Sequence, residues 1–253
     1  MALILFPNVK INLGLLIKGK LPNGYHLLET VFYPVSQLYD RLELRESSEF
    51  VLNMAGIDLQ GKVEENLCYK AYQLVKEHYP KLPNVQIDLT KNIPAGAGLG
   101  GGSSDAASTI LGLNELFALK MTQEKMAQMG AKLGADVPFF IYNRPMFAAG
   151  IGTDLQAIEL ELPYRIELIT PPIHSSTVAA YKALNYQQFD ATRDLQSIIS
   201  QPISAWKDLL VNDLEIPVFE MYPQLKQIKA ELYEKGAIYA AMSGSGSAVF
   251  GLF

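Results

Sequence analysis

The sequence predicts an α+β fold, and three observations carry that prediction. Apolar and polar residues alternate in stretches such as NVKINLGLLIKGK and NVQIDLTK, the period of a strand. Elsewhere apolar residues recur at helical spacing, as in ENLCYKAYQLVKEHY. The two kinds of segment are intermixed without a regular strand–helix–strand alternation, which argues against a doubly wound sheet. With 253 residues, 49% hydrophobic and 19% charged, the chain can bury the core of one large domain or two small ones.

Taken in order, the first strand places Val9, Ile11, Leu13, Leu15 and Ile17 on one face and Lys10, Asn12 and Gly14 on the other. LPNGYH contains Asn-Gly, the strongest short hairpin signal, so a second strand should begin near Tyr25. DRLELRE and EFVLNM read as further strands. A helix follows with Leu67, Ala71, Leu74 and Val75 on one face and Asn66 at its N-cap. NVQIDLTK then feeds a glycine-rich segment, IPAGAGLGGGSSDAAST, beyond which Ala106, Ala107, Ile110, Leu111 and Phe117 fit a buried helix. Ser103 and Ser104 are natural N-caps for it. Another helix should run from about Thr122 to Leu133 and close at Gly134. ADVPFFIYN is a hydrophobic run with one carboxylate, Asp136, at its mouth. The second half alternates strands (YRIELIT, AIYAAM, AVFGLF) with helices, the clearest being 222–235, closed by Gly236. A change of character at QAIELELPYR marks the expected boundary between domains 1–157 and 158–253.

Composition excludes several function classes. There is no run of 18 apolar residues, so no membrane span is expected. The start, MALILFP, lacks a basic region, so no signal peptide is expected either. Cys68 is the single cysteine, which rules out an internal disulfide and fits a reducing cytoplasm. His26, His78 and His174 are far apart, so any metal should be a hard ion held by oxygens. A net charge of -5 with no basic, aromatic-rich stretch makes nucleic acid a poor partner. An anionic ligand would have to be held by backbone N–H groups and a few placed cations.

Gly96, Gly98 and Gly101 satisfy G-x-G-x-x-G, yet the dinucleotide reading fails. It needs the first glycine directly after a strand and an acid about twenty residues on. Here Pro94 intervenes, and the acid at that distance, Glu115, lies inside the expected helix. A phosphate loop of the Gly-Lys-Ser/Thr kind fails because GGGSS has no lysine. A linker would not sit between a strong strand and a strong helix. An anion-binding loop at a helix N-terminus or a structural glycine-rich cap remains. The hydroxyls of Ser103 and Ser104 could also meet a phosphate or its magnesium.

IPAGAGLGGGSSDAA resembles the nucleotide motif of the GHMP kinases, P-x-x-x-G-L-G-S/G-S/G-S/A. PNVKINLGL is similar to that family's first motif, and MSGSGSAVFG to its third, a second glycine loop near the C-terminus. The three stand in the family's order and span nearly the whole chain. The resemblance implies a two-domain fold with the active site in the cleft between domains. The N-terminal domain, 1–157, would be ribosomal-protein-S5-domain-2-like, and the C-terminal domain, 158–253, ferredoxin-like. It implies ATP as phosphoryl donor, with Mg2+, bound by Pro94, Ala95, Gly96, Ala97, Gly98, Leu99, Gly100, Gly101, Gly102, Ser103 and Ser104. Ser104 is the candidate magnesium ligand.

Site roles follow from the same resemblance. Asp136 falls at the family's catalytic aspartate, with a helix-capping or salt-bridged residue as the lesser reading. Lys10 alone would be a solvated strand lysine; the resemblance puts it in the active site, holding Asp136 ionised and stabilising the moving phosphoryl group. Asn12 shares its face. The combination of NGYHLLET with LGADVPFF narrows the implied acceptor to a cytidine-diphosphate-linked methylerythritol. Tyr25, His26 and Phe32 would then form a nucleobase pocket completed by Thr177 and Tyr181, though each could be an ordinary strand residue. Ser243, Gly244, Ser245 and Gly246 read as a substrate-side phosphate loop or as a plain β-turn. The alternatives are a homoserine- or mevalonate-type kinase and a non-catalytic regulator, which should have lost Lys10 or Asp136. The partners implied are small molecules, the expected assembly a monomer or weak homodimer. The chain stops at Phe253, directly after the third motif, where the family usually continues through another helix and strand. The second domain is therefore expected to be short at that end.

Overall fold

The structure, a computed structural model, describes residues 2–57, 61–185 and 189–253. Its first half contains β1 (Ala2–Leu5), β2 (Asn8–Lys20), β3 (His26–Tyr39), β4 (Arg41–Ser47), β5 (Val51–Gly56), α1 (Leu67–His78) and β6 (Asn84–Lys91). Then come α2 (Gly101–Leu116), α3 (Gln123–Gly130), α4 (Val137–Tyr142), β7 (Met146–Ala149), β8 (Asp154–Ala157) and β9 (Ile166–Ile169). The chain ends through α5 (Thr177–Lys182), α6 (Leu195–Ile199), α7 (Ile203–Leu209), α8 (Glu215–Met221), α9 (Pro223–Glu234), β10 (Tyr239–Met242) and β11 (Val249–Leu252). Contacts group these into two compact units of interleaved segments. The first holds 1–9, 34–95 and 100–144; the second holds 10–33, 96–99 and 145–253. Mixed sheets with intermixed helices make the architecture α+β, as the pattern predicts.

In the first unit the strand order is β1-β4-β6-β5, antiparallel except at β5/β6. β6 follows its period-2 pattern, burying Val85, Ile87 and Leu89 and then, on the same face, Lys91. α1 starts at Asn66, whose side chain accepts the Cys68 N–H at 2.8 Å, as the sequence predicts. α2 packs on β4 and β1 at very short range because Gly112 faces them. A Cβ there would lie 2.4 Å from Leu44 Cδ1 and 2.7 Å from Leu5 Cδ1.

Two expectations in this unit need correction. Ser103 and Ser104 do not cap α2: Gly100 occupies the N-cap with φ 74°, and the serines lie inside the first turn. That left-handed cap strongly favours glycine, and it starts the helix three residues earlier than a serine cap would. α3 ends at Gly130 rather than near Leu133, because the chain tightens there into i→i−3 bonds. Lys132 N–H donates to Met129 O at 3.1 Å, and Leu133 N–H to Gly130 O at 2.9 Å.

The second unit contains the sheet β2-β3-β7-β8 and the antiparallel sheet β10-β11-β9. β2 was expected to have a polar, solvated face; instead Lys10 and Asn12 are 4% and 2% exposed. The segment after α7 pairs with the edge of the same strand. Leu15 N–H donates to Val211 O at 3.0 Å, Asp213 N–H to Leu15 O at 2.8 Å, and Ile17 N–H to the Asp213 carboxylate at 2.8 Å. Arg193 grips both oxygens of that carboxylate at 2.7 Å, so its charge is balanced where it is buried. Leu15, Ile17 and Leu28 share one apolar cluster with Leu214, Val218, Leu225 and Val249. α9 ends before Gly236, which has φ 96° as a helix-closing glycine should.

Candidate functional site

Lys10 sits at the head of a buried polar chain in the second unit. Its Nζ donates to Asn12 Oδ1 at 2.5 Å, and Asn12 Nδ2 donates to Thr30 Oγ1 at 2.9 Å. Thr30 in turn donates to Gly14 O at 2.6 Å. The ammonium also lies 4.8 Å from the centroid of the Phe32 ring. A long flexible cation is thereby held in one place, as a group that must meet developing charge requires. Phe32 is buried beneath it at 3% exposure.

The third motif forms the β10–β11 loop and packs against the first half of the glycine segment. Ser243 Oγ donates to Gly98 O at 3.0 Å, Asn12 N–H donates to Ser243 Oγ at 3.3 Å, and Ala248 N–H donates to Ala97 O at 3.0 Å. Contact is so close that a Cβ on Gly98 would lie 2.0 Å from Ser243 O. Asn212 Nδ2 pins the loop by donating to Met242 O and Gly244 O, both at 2.8 Å. Ser175 Oγ donates to Ser245 O at 2.6 Å, Thr177 Oγ1 lies 2.7 Å from Ser245 Oγ, and Ser247 donates to Ile173 O. Lys10, Asn12, Gly98, Ser243, Gly244 and Ser245 are thus one connected group, with Thr177 attached through Ser245. The exposed imidazole of His174 lies against Gly96, where a Cβ would be 2.4 Å from its Nδ1.

Of the expected aromatic pocket, His26 and Tyr181 come together with ring centroids 4.8 Å apart. Burial lowers the His26 pKa, and Lys20 lowers it further, so the neutral ring is favoured. Tyr25 stands on the hairpin turn and is 60% exposed.

In the first unit, Gly101 and Gly102 open α2, and no side chain caps the helix. The first N–H groups of a 16-residue helix are therefore unclaimed by any capping side chain, and the macrodipole adds partial positive charge there. Pro94 and Ala95 lead into the segment; within the second unit, Leu99 O accepts the Lys10 N–H at 3.1 Å. Ser103 is half-buried and Ser104 is buried. Asp136 occupies the position before α4, half-buried, and its side chain does not cap that helix. The capping reading of this carboxylate therefore fails. Among the described residues no group of three or more His, Cys, Asp or Glu gathers as a metal site, and no helix is long and apolar enough to cross a membrane.

Sequence reasoning missed a second feature of the first unit. A cavity of about 250 Å³ adjoins Gly102, lined also by Leu52, Met54, Asn66, Leu67, Leu89 and Asp105. Behind it Lys91 Nζ bonds Asp105 Oδ2 at 2.6 Å and also bonds Asp40. Burial drives the Asp105 carboxyl up to about 7, with Lys91 opposing and Asp40 adding to the rise. Burial alone would lower the Lys91 pKa, but the two carboxylates outweigh it and leave it raised. The signal was present: the inward register of β6, extended by one step, buries a lysine that then needs carboxylate partners.

Comparison with known proteins agrees across the whole chain. The family models described as GHMP kinases N terminal domain and GHMP kinases C terminal match residues 66–144 and 195–253. The 4-diphosphocytidyl-2-C-methyl-D-erythritol kinase of Bacteroides fragilis is 49% identical over 99% of this chain and 92% of its own length. The protein of the same name from Azobacteroides pseudotrichonymphae is 47% identical over 99% of this chain and 93% of its own. Among solved structures, a 4-(cytidine 5'-diphospho)-2C-methyl-D-erythritol kinase superposes with TM-score 0.84 at 35% identity, covering 99% of this chain and 90% of that one. Homoserine kinase from Cytophaga hutchinsonii, with TM-score 0.74 at 17% identity over 97% of this chain and 84% of that one, shares the fold alone.

Proposed function

The chain belongs to the GHMP kinases, and on that premise we propose that it phosphorylates 4-diphosphocytidyl-2-C-methyl-D-erythritol. The reaction moves the γ-phosphoryl group of ATP to the 2-hydroxyl of that acceptor, a step of the non-mevalonate route to isopentenyl diphosphate. The carrying observation is the start of α2, where a left-handed Gly100 leaves the first helical N–H groups without a side-chain cap. An N-terminus of this kind fits the phosphates of ATP. In this reading the Asp136 carboxylate orients the 2-hydroxyl and takes its proton as the oxygen attacks the γ-phosphorus. Lys10, fixed by Asn12 and Phe32, stabilises charge on the transferred group.

Magnesium, when bound, neutralises charge on the phosphates. The donor set fits an ion held chiefly by phosphate oxygens and water, with a hydroxyl from Ser103 or Ser104 added. His26 and Tyr181, with Tyr25 and Thr177, would receive the cytosine, and the Ser243–Ser245 loop the acceptor's phosphates. ATP binding is assigned to domain 1–157, with 158–253 as the C-terminal domain. The reading includes the cytoplasm, consistent with a single cysteine, and a monomer or weak homodimer.

An ATP-turnover assay across acceptors tests it. The cytidine-diphosphate-linked methylerythritol should turn over, whereas methylerythritol phosphate without the cytidine should be a very poor substrate in kcat as well as KM. Binding energy from the remote base is what positions the hydroxyl. Equal turnover of the two, or preference for homoserine or mevalonate, would refute the assignment.

A further inference from the structure

Thr30 closes the far end of the polar chain that starts at Lys10, and its one hydroxyl proton decides how that chain runs. It lies on β3, 1% exposed, and donates to Gly14 O of the neighbouring β2 at 2.6 Å. A carbonyl oxygen can only accept, so the proton is committed there. Toward Asn12, 2.9 Å away, Thr30 Oγ1 has only lone pairs left. It must therefore face the NH2 end of the amide. That turns Asn12 Oδ1 to Lys10, whose ammonium has three donors and no acceptor. A half-turn of the amide would set its NH2 against the ammonium and its oxygen against the lone pairs of Thr30. Both mismatches would be buried, where an unmade hydrogen bond is most costly.

Strand geometry brings the pieces together. Lys10 and Asn12 are alternate residues of β2, and Thr30 and Phe32 are alternate residues of β3, so each pair shares a face. β3 thus supplies both the ring beside the ammonium and the hydroxyl that orients the ammonium's acceptor. The backbone of Asn12 is held separately, its N–H donating to Ser243 Oγ at 3.3 Å. What Thr30 controls is the side chain.

We propose that Thr30 is a positioning residue for phosphoryl transfer: acting through Asn12, it holds the Lys10 ammonium at the point where charge develops. The proposal rests on the reading of Lys10 as the cation that stabilises the transferred group. A threonine that only tied β3 to β2 would make the same bonds, so the test must separate the two roles.

Thr30→Val keeps the shape and removes the hydroxyl, whereas Thr30→Ser keeps the hydroxyl. In Thr30→Val, kcat should fall roughly ten- to a hundredfold with KM for ATP and for the acceptor near wild type, as loss of positioning predicts. Thr30→Ser should recover most of the rate. In an Asn12→Ala background, Thr30→Val should lower kcat no further, because the route through the amide is already gone. A second readout needs no nucleotide. By NMR, the Lys10 Nζ protons, identified by their loss in Lys10→Met, should exchange faster in Thr30→Val than in wild type, with the β10 and β11 backbone amides unchanged. Near-wild-type kcat in Thr30→Val, an undiminished further loss in the Asn12→Ala background, or unchanged Nζ exchange would overturn the proposal. Should Thr30→Val fail to fold, Thr30→Ala, which leaves room for a water molecule, is read by the same criteria. Normal turnover in Lys10→Met would remove the reading of Lys10 and this proposal with it. An inactive Lys10→Met beside a fully active Thr30→Val would remove the role of Thr30 alone.

Discussion

Asp136 shows how a single residue's meaning changes once its surroundings are known. As a letter in GADVPFF it can be read as a helix cap as well as a catalytic base, and both readings put it at the same place. Its side chain makes no capping bond to α4, so the capping reading loses its physical content. Asp136→Asn preserves shape and removes the basic oxygen. It should lower kcat roughly 10²- to 10⁴-fold, the usual worth of a general base, with ATP affinity near wild type. A variant with near-full turnover would return Asp136 to a structural role. Glycines and motif residues were legible in this way because each carries a local conformational or chemical signature. Asp40 and Asp105 were not, because a carboxylate announces itself only through the partner that burial brings to it. That partner, Lys91, lies 51 residues from one and 14 from the other.

At the scale of elements, strands and helices with strong periodicity were legible nearly throughout, and their ends were not. β6 has its predicted extent and α1 its predicted cap, while α2 starts on Gly100 because a left-handed residue outcompeted the serines after it. β2 shows a second limit: alternation identifies a strand but cannot say that its polar side is also covered. The glycine segment supplies the sharpest test of element packing. Gly98 has φ 72°, and a Cβ would meet Ser243 O at 2.0 Å; Gly24, on the hairpin turn, has φ 89° and nothing within 4 Å of a Cβ. Gly24→Ala should therefore cost only the left-handed penalty, about 1–2 kcal/mol. Gly98→Ala should add an overpacking cost of about 1–3 kcal/mol. Each kcal/mol is worth about 2–4 °C in a chain of this size, so Gly98→Ala should melt several degrees below Gly24→Ala. Equal melting points for the two variants would mean that the loops are not in contact.

The whole molecule is where sequence reading has least purchase, because a linear boundary cannot express interleaving. The division at 157/158 names two stretches of sequence, yet the second compact unit draws on residues 10–33 as well as 145–253. Leu15, Ile17 and Leu28 come from the first stretch and bury against Leu214, Val218, Leu225 and Val249 from the second. Fully burying three such side chains contributes roughly 5–9 kcal/mol. That is comparable to the whole stability of an ordinary domain, about 5–15 kcal/mol. The backbone tie is equally one-sided. Ile17 N–H depends on the Asp213 carboxylate, and Leu15 exchanges bonds with Val211 and Asp213. Cutting at 157 leaves the first compact unit with all its segments and separates Leu15, Ile17 and Leu28 from the rest of the second unit's core. We therefore expect fragment 1–157, expressed alone, to protect the β4 and β6 amides from hydrogen exchange while those of Leu15 and Ile17, whose acceptors lie beyond the cut, exchange freely. Fragment 158–253 alone should lack a cooperative melt, since its helices and the β10–β11 hairpin have lost their apolar counterpart. Native-level protection of β10 and β11 in 158–253 would show that residues 10–33 merely decorate a self-sufficient unit. Their partners' burial, from Leu214 at 0% to Val249 at 0% exposure, predicts the opposite.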